Sequence, residues 1–102
     1  MDHFPIFLAM QDRHVVLSGG GDAALAKLRL LLKTAARITV YASDPAPEIA
    51  RWAGLGKVQL HRRALRSGDA RHATLFYAAD ENPAEDARTG AIARAEGALV
   101  NV

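Results

Sequence analysis

The chain has 102 residues, 50% of them hydrophobic and 24% charged, and contains no cysteine. This length and composition allow one globular domain, and the absence of thiols excludes disulfides, thiolate metal sites and cysteine nucleophiles. Thirteen Lys and Arg against eleven Asp and Glu leave a formal charge of +2, which does not favour a nucleic-acid partner. Since no apolar run is long enough for a signal peptide or a membrane helix, we expect a cytoplasmic protein with no membrane partner.

Short apolar runs bounded by Gly, Pro or Asp alternate along the chain with segments of helical periodicity. The runs predict strands over residues 14–17, 37–42, 57–61, 73–79 and 98–102. The helical segments cover residues 22–35, 48–53 and 84–96, whereas residues 62–72 favour neither structure. This order predicts the α/β class: a Rossmann-like doubly wound parallel sheet of about five strands in order 3-2-1-4-5, forming a single domain. Phe4–Leu8 is expected to add a strand or a clasp before the first parallel strand.

The glycine-rich segment after the first predicted strand fits G-x-G-x-x-A, from Gly19 to Ala24. Between a strand and a helix, Gly19 allows a tight turn, Gly21 lets backbone amides approach a pyrophosphate, and Ala24 allows close helix packing. The free amides and the helix dipole then favour phosphate, so the sequence predicts a dinucleotide cofactor. Asp22 fits two roles equally well, a plain N-cap or a ligand contact. The predicted contacts in this segment are Gly19, Gly20, Gly21, Asp22 and Ala23.

A second group of cofactor contacts is expected where the second strand ends. Ser43 and Asp44 lie at this corner, near the usual place of a carboxylate that binds the ribose hydroxyls. A carboxylate at Asp44 would favour NAD over NADP, although binding of NADP stays an alternative because Arg51 lies in the helical segment that follows. The alternative is that Asp44 merely starts the turn at Pro45.

Charged and histidine residues elsewhere give weaker signals. Residues 57–72 are mainly basic and residues 80–86 are mainly acidic. Both stretches are typical of a solvated surface. The alternative for the basic stretch is a surface that binds a polyanionic ligand. The histidines are scattered and lack the spacing of a metal site, so we expect none. They are His3, His14, His61 and His72. Neither a nucleophile-elbow motif nor a phosphate-loop motif for nucleoside triphosphates is present.

The chain resembles the N-terminal dehydrogenase and ferrochelatase module of siroheme synthase over its whole length. The resemblance depends on M-D-x-x-P-I-F at Met1–Phe7, on G-G-G-D-x-A from Gly19 and on the closing Asn101-Val102. It implies an oxidoreductase of siroheme and porphyrin biosynthesis that uses NAD to oxidise precorrin-2 to sirohydrochlorin. It further implies a lyase step, insertion of ferrous iron, and a homodimer in the intact family.

Carried over by position, the resemblance also implies particular site residues. Asp22-Ala23 and Ser43-Asp44 match the family's NAD contacts, and Ala79 and Asp80 lie at the carboxyl end of the fourth strand, where the cofactor cleft is expected. The carboxylates of a tetrapyrrole give the basic stretch around Arg62 and Arg63 a partner.

Three positions depart from the family pattern: Ala26 replaces an arginine, Asp80 a small polar residue and Asp86 an asparagine. A carboxylate at Asp80 is expected to weaken cofactor binding. The family's catalytic aspartate follows the pair matched by Asn101-Val102, so no catalytic residue is assigned. We therefore expect residues 1–102 to be the NAD-binding domain of a longer enzyme, inactive alone. The alternatives are a non-catalytic nucleotide-binding or interaction module derived from it, or a methyltransferase-like or flavodoxin-like domain.

Overall fold

A computed structural model describes residues 13–102, in which strands and helices alternate as expected. The strands are β1 (His14–Ser18), β2 (Arg37–Tyr41), β3 (Gln59–His61), β4 (Leu75–Ala78) and β5 (Leu99–Asn101). The helices are α1 (Asp22–Leu31), α2 (Pro47–Gly54) and α3 (Pro83–Ala95). The element predicted at Phe4–Leu8 lies outside the described residues. Among the described residues, no helix has the length and apolar character needed to cross a membrane.

The five strands form one sheet in the order β3-β2-β1-β4-β5, and every neighbouring pair is parallel. The predicted Rossmann-like order is therefore confirmed. β1 is the central strand, and Val16 pairs with Thr39 of β2 on one side and with Phe76 of β4 on the other. The chain reverses its direction of travel across the sheet between β3 and β4, which makes the carboxyl ends of β1 and β4 the switch point where ligands bind in such folds.

Both faces of the sheet are covered, which explains why β1 is continuously apolar. Successive side chains of a strand point to opposite faces, so Val15 and Leu17 face one layer and Val16 the other. The first layer consists of α1 and α2 and includes the buried residues Ala24, Leu28, Ile49 and Trp52. The second layer consists of α3 and the 62–74 connection and includes the buried residues Leu65, Ala70 and Ala93.

Helix α1 ends at Leu31, earlier than the predicted end near Ala35. The Thr34 hydroxyl donates to the Leu31 carbonyl at 2.6 Å and accepts from the Ala36 amide at 3.2 Å. Threonine side chains that bond to nearby backbone groups compete with helical hydrogen bonds, so the chain turns here toward β2. Apolar periodicity continued through Leu32 and did not reveal this competition.

The 62–74 connection has no regular helix or strand, which accounts for its ambiguous sequence pattern. Its position depends on Glu96, the residue after α3. The Glu96 carboxylate accepts hydrogen bonds from the amides of Gly68 at 2.5 Å and Ala70 at 2.9 Å. These two bonds hold the connection over β4 and keep Leu65 buried.

We expect Glu96→Ala to lower the free energy of unfolding by about 2 kcal/mol, because two backbone amides lose a charged acceptor. Glu96→Gln should lose less stability, since its one amide oxygen still accepts from one of the two backbone amides. Urea unfolding measures both changes, and faster hydrogen exchange at Gly68 and Ala70 in Glu96→Ala locates the effect. Equal stability of Glu96→Ala and the parent chain would show that the connection holds its position without Glu96.

Candidate functional site

The glycine segment Gly19–Gly21 joins β1 to α1 at the carboxyl edge of the sheet. The Gly19 amide donates to the Tyr41 carbonyl at the end of β2, at 3.0 Å. The Ala79 amide, just after β4, donates to the Ser18 carbonyl at 2.8 Å. The turn is thus held between the ends of the two strands that flank β1.

Gly19 lies directly against the backbone that follows β4. It adopts φ +140°, and a Cβ atom at this position would come within 2.1 Å of the Ala79 carbonyl oxygen. Both the backbone angle and the close approach require glycine. Ala79, and Asp80 behind it, therefore lie beside the turn, as the sequence predicts for the cleft.

Gly20 makes the corresponding approach to the loop after β2. A Cβ atom there would come within 2.9 Å of the Asp44 carbonyl oxygen, and the Ala46 amide donates to the Gly20 carbonyl at 2.8 Å. Ser43 and Asp44 are exposed next to this contact. The structure thus brings the predicted contacts after β2 and β4 to the same glycine turn.

The first turn of α1 corrects one interpretation of Asp22. Gly21, which has no side chain, is the N-cap residue of the helix, so a plain N-cap role for Asp22 is wrong. Asp22 is instead the first helical residue and is exposed, in a place where a negative charge interacts favourably with the helix dipole. Its role as a ligand contact stays a prediction.

A carboxylate that the sequence analysis did not single out lies over the start of α1. Glu81 Oε1 accepts a hydrogen bond from the Ala23 amide at 3.1 Å, and a Cβ atom on Gly21 would lie 3.0 Å from the same oxygen. The absence of a side chain on Gly21 leaves this place open to an acidic oxygen. The sequence could have indicated Glu81 as a site residue, because Glu81 lies in the acidic loop that follows β4 at the switch point.

Asp80 and Asp86, two departures from the family pattern, lie together. The Ser18 hydroxyl donates to Asp80 Oδ2 at 2.6 Å, and the Asp80 amide donates to Asp86 Oδ1 at 3.0 Å. Burial is the main cause that raises the pKa of Asp80, and the Ser18 hydrogen bond opposes it. The carboxylates of Glu85 and Asp86 raise this pKa further. The cleft beside the glycine turn is therefore acidic.

The basic stretch is only partly available to a ligand. Arg63 forms a bidentate pair with Asp69, at 2.6 and 3.0 Å, and its guanidinium lies 5.0 Å from the centre of the Tyr41 ring. The Tyr41 ring also stacks with the ring of His61, and the two ring centres are 4.8 Å apart. Arg63 thus stabilises the fold, while Arg62 is exposed.

His14 lies apart from the glycine turn, at the start of β1. Nε2 of His14 lies 2.8 Å from the Thr39 hydroxyl, and both residues line a pocket of about 400 Å³ where β1 and β2 begin. Within residues 13–102, no group of three His, Asp or Glu side chains is arranged to hold a metal ion.

Comparisons with known proteins agree with this geometry. Residues 6–102 match a family model described as "Putative NAD(P)-binding". The chain is 35% identical over 102 residues to the siroheme synthase of Methylococcus capsulatus and 36% identical to that of Escherichia coli strain K12/DH10B. Each match covers 100% of this chain and 22% of the relative, so the chain spans about a fifth of these proteins.

A solved structure has the same fold. It is described as "SirC, precorrin-2 dehydrogenase" and superposes with a TM-score of 0.79 at 24% identity, over 91% of this chain and 45% of that one. This similarity supports the Rossmann-like arrangement of strands and helices.

Gly19→Ala is expected to lower the free energy of unfolding by about 3 kcal/mol or more, because the new methyl group meets the backbone after β4 in a strained conformation. Gly54→Ala is the matched control, since a Cβ atom at Gly54 meets nothing within 4 Å. Chemical unfolding of the two variants measures the difference. A Gly19→Ala protein as stable as Gly54→Ala would contradict the close approach to Ala79.

Asp80→Asn is expected to stabilise the chain near neutral pH. Because burial raises the folded-state pKa of Asp80 above its ordinary value of 3.8, the contribution of Asp80 to stability falls as the pH rises through that folded-state pKa. The gain in Tm of Asp80→Asn should therefore be large at about pH 7 and shrink toward about pH 3.5.

Asp69→Asn provides a control of opposite sign for this experiment. Its hydrogen bond with Arg63 lowers the pKa of Asp69, so this variant should lose stability near neutral pH and approach the parent chain in acid. A difference between Asp80→Asn and the parent chain that does not change with pH would contradict the effect of burial on Asp80.

Proposed function

The chain belongs to the NAD(P)-binding family matched over residues 6–102, and on that premise we propose that it is the cofactor-binding domain of a precorrin-2 dehydrogenase. The cofactor class follows from the family. The substrate is proposed from the names of the relatives, siroheme synthase and precorrin-2 dehydrogenase. The contact between Glu81 and the start of α1 carries the argument for where the cofactor binds.

The residues present at the glycine turn fit a dinucleotide phosphate. Glu81 Oε1 accepts from the Ala23 amide above Gly21, and this carboxylate oxygen stands in for a phosphate oxygen at the same donor. The N-terminus of α1 adds the positive end of a helix dipole. A side chain on Gly21 would fill the space that the acidic oxygen uses.

The neighbouring predicted contacts extend this site in two directions. We assign the pyrophosphate to the segment Gly19–Ala23 and the adenosine ribose to Ser43 and Asp44, since the Asp44 carbonyl lies against Gly20. Ala79 and Asp80 form the opposite wall, because Ala79 touches Gly19. When bound, NAD supplies a hydride acceptor, while the chain binds and orients the cofactor.

The proposal for the whole enzyme is broader than this domain. It comprises NAD-dependent oxidation of precorrin-2 in siroheme biosynthesis, a ferrochelatase (lyase) step that takes ferrous iron as substrate, homodimerisation and a cytoplasmic location. Among the basic residues, exposed Arg62 is better placed than paired Arg63 to contact the carboxylates of the tetrapyrrole. No catalytic residue is assigned within the described chain.

Calorimetric titration tests the cofactor assignment. The chain should bind NAD with a submillimolar Kd and bind NADP more weakly, because the Asp44 carboxylate accepts from the ribose hydroxyls and repels a phosphate there. Asp44→Asn should weaken NAD binding about tenfold and narrow the preference over NADP.

Glu48→Gln is the matched control, since Glu48 is in α2 and pairs with Arg29 and Arg51. It should bind NAD as the parent chain does. No binding to the parent chain at millimolar NAD would overturn the proposed function. Equal losses in Asp44→Asn and Glu48→Gln would overturn the placement of the ribose.

A further inference from the structure

Glu81 has an unusual backbone conformation as well as an unusual contact. Among the described residues, it is the non-glycine residue with positive φ, at +60°. This left-handed conformation is unfavourable for residues with a side chain, and such strain persists where surrounding structure holds it. Here the conformation accompanies a carboxylate that lies on the Ala23 amide.

The loop around Glu81 is anchored on both sides. Asp80, the preceding residue, accepts from the Ser18 hydroxyl, and its amide bonds to Asp86. Asn82, the following residue, is the N-cap of α3 and accepts from the Glu85 amide at 3.0 Å. Removal of the Glu81 carboxylate from α1 therefore requires rotation of one exposed side chain, while the backbone of the loop stays in place.

The Glu81 carboxylate contacts a backbone amide at the start of α1 and forms no ion pair among residues 13–102. The ion pairs found in this part of the chain join other acidic residues to arginines. Asp22 directly precedes Ala23, and the Asp80 backbone lies beside Gly19, so both residues add negative charge near the start of α1. A phosphate that approaches this amide thus meets a carboxylate that already accepts from it.

We propose that Glu81 is an intramolecular competitor for the phosphate site, which occupies the Ala23 amide in the free chain and is displaced by the pyrophosphate of the cofactor. The inference rests on the proposed function, because it assigns the pyrophosphate to that amide. Glu81 lowers affinity for ligands that carry a phosphate at this place and leaves the binding of the nucleoside part unchanged. This competition makes Glu81 a determinant of affinity and of ligand selection in the cofactor site.

Titration of variants with NAD and with adenosine tests the competition. Glu81→Gln keeps the shape of the side chain and removes its charge, so it should bind NAD about tenfold more tightly than the parent chain. Glu81→Gly removes the competitor and the backbone strain together, and it should bind NAD at least as tightly as Glu81→Gln. Adenosine, which has no phosphate, should bind all variants equally.

Glu85→Gln is the matched control. It removes the same charge from the same acidic loop and first turn of α3, but Glu85 pairs with Arg88 and does not contact α1. Its NAD affinity should stay within about twofold of the parent chain. The thermal unfolding of every variant is recorded, and Glu81→Gln supplies the result if Glu81→Gly fails to fold.

A direct readout of the contact accompanies the titrations. In the free parent chain the Ala23 amide should be protected from hydrogen exchange, and Glu81→Gly should lose that protection until NAD is added. Equal NAD affinities of the parent chain and Glu81→Gln would overturn the inference and leave the proposed function in place. An equal gain in Glu85→Gln would also overturn it, since the effect would then be general charge repulsion. Failure of every variant to bind NAD would overturn both.

Discussion

The close approach of Gly19 to the Ala79 carbonyl is the constraint on which the rest of the site depends. A Cβ atom at Gly19 would be 2.1 Å from that oxygen, so the turn after β1 and the chain after β4 can meet only without a side chain there. The contact brings the start of α1 beside the acidic loop. It also leaves Gly20 against the loop after β2, where Asp44 lies. One backbone contact thus sets the distances among three loops.

The same contact explains the charge of the cleft. Once the chain after β4 lies beside the turn, Asp80 reaches the Ser18 hydroxyl and Glu81 reaches the Ala23 amide. The helix dipole favours a negative charge beside the Ala23 amide, where Glu81 lies, while burial penalises the ionisation of Asp80. Neighbouring carboxylates therefore have different electrostatic roles, because one faces free amide groups and the other lies half-buried in the cleft.

Much of the fold could be predicted because its signals are local. Apolar runs such as Val15–Leu17 identified the strands, and the parallel order followed from their alternation with helices. The end of α1 was predicted less well, since the Thr34 hydroxyl bonds to the Leu31 carbonyl and stops a helix whose apolar periodicity continues. The 62–74 connection could not be predicted, because its position depends on Glu96, which is distant in sequence.

The sequence by itself determined the glycine turn, the strand that precedes it and the helix that follows, because tight turns and periodicity depend on neighbouring residues. It also placed Ser43, Asp44, Ala79 and Asp80 at the ends of strands, and parallel strands bring such ends to one edge. Only the tertiary structure decided that Arg63 pairs with Asp69 and stabilises the fold, and that Glu81 contacts the start of α1. Glu81 and Ala23 are separated by 58 positions, and their contact depends on the register of β1 and β4 and on the backbone angle of Glu81. No local pattern contains that information.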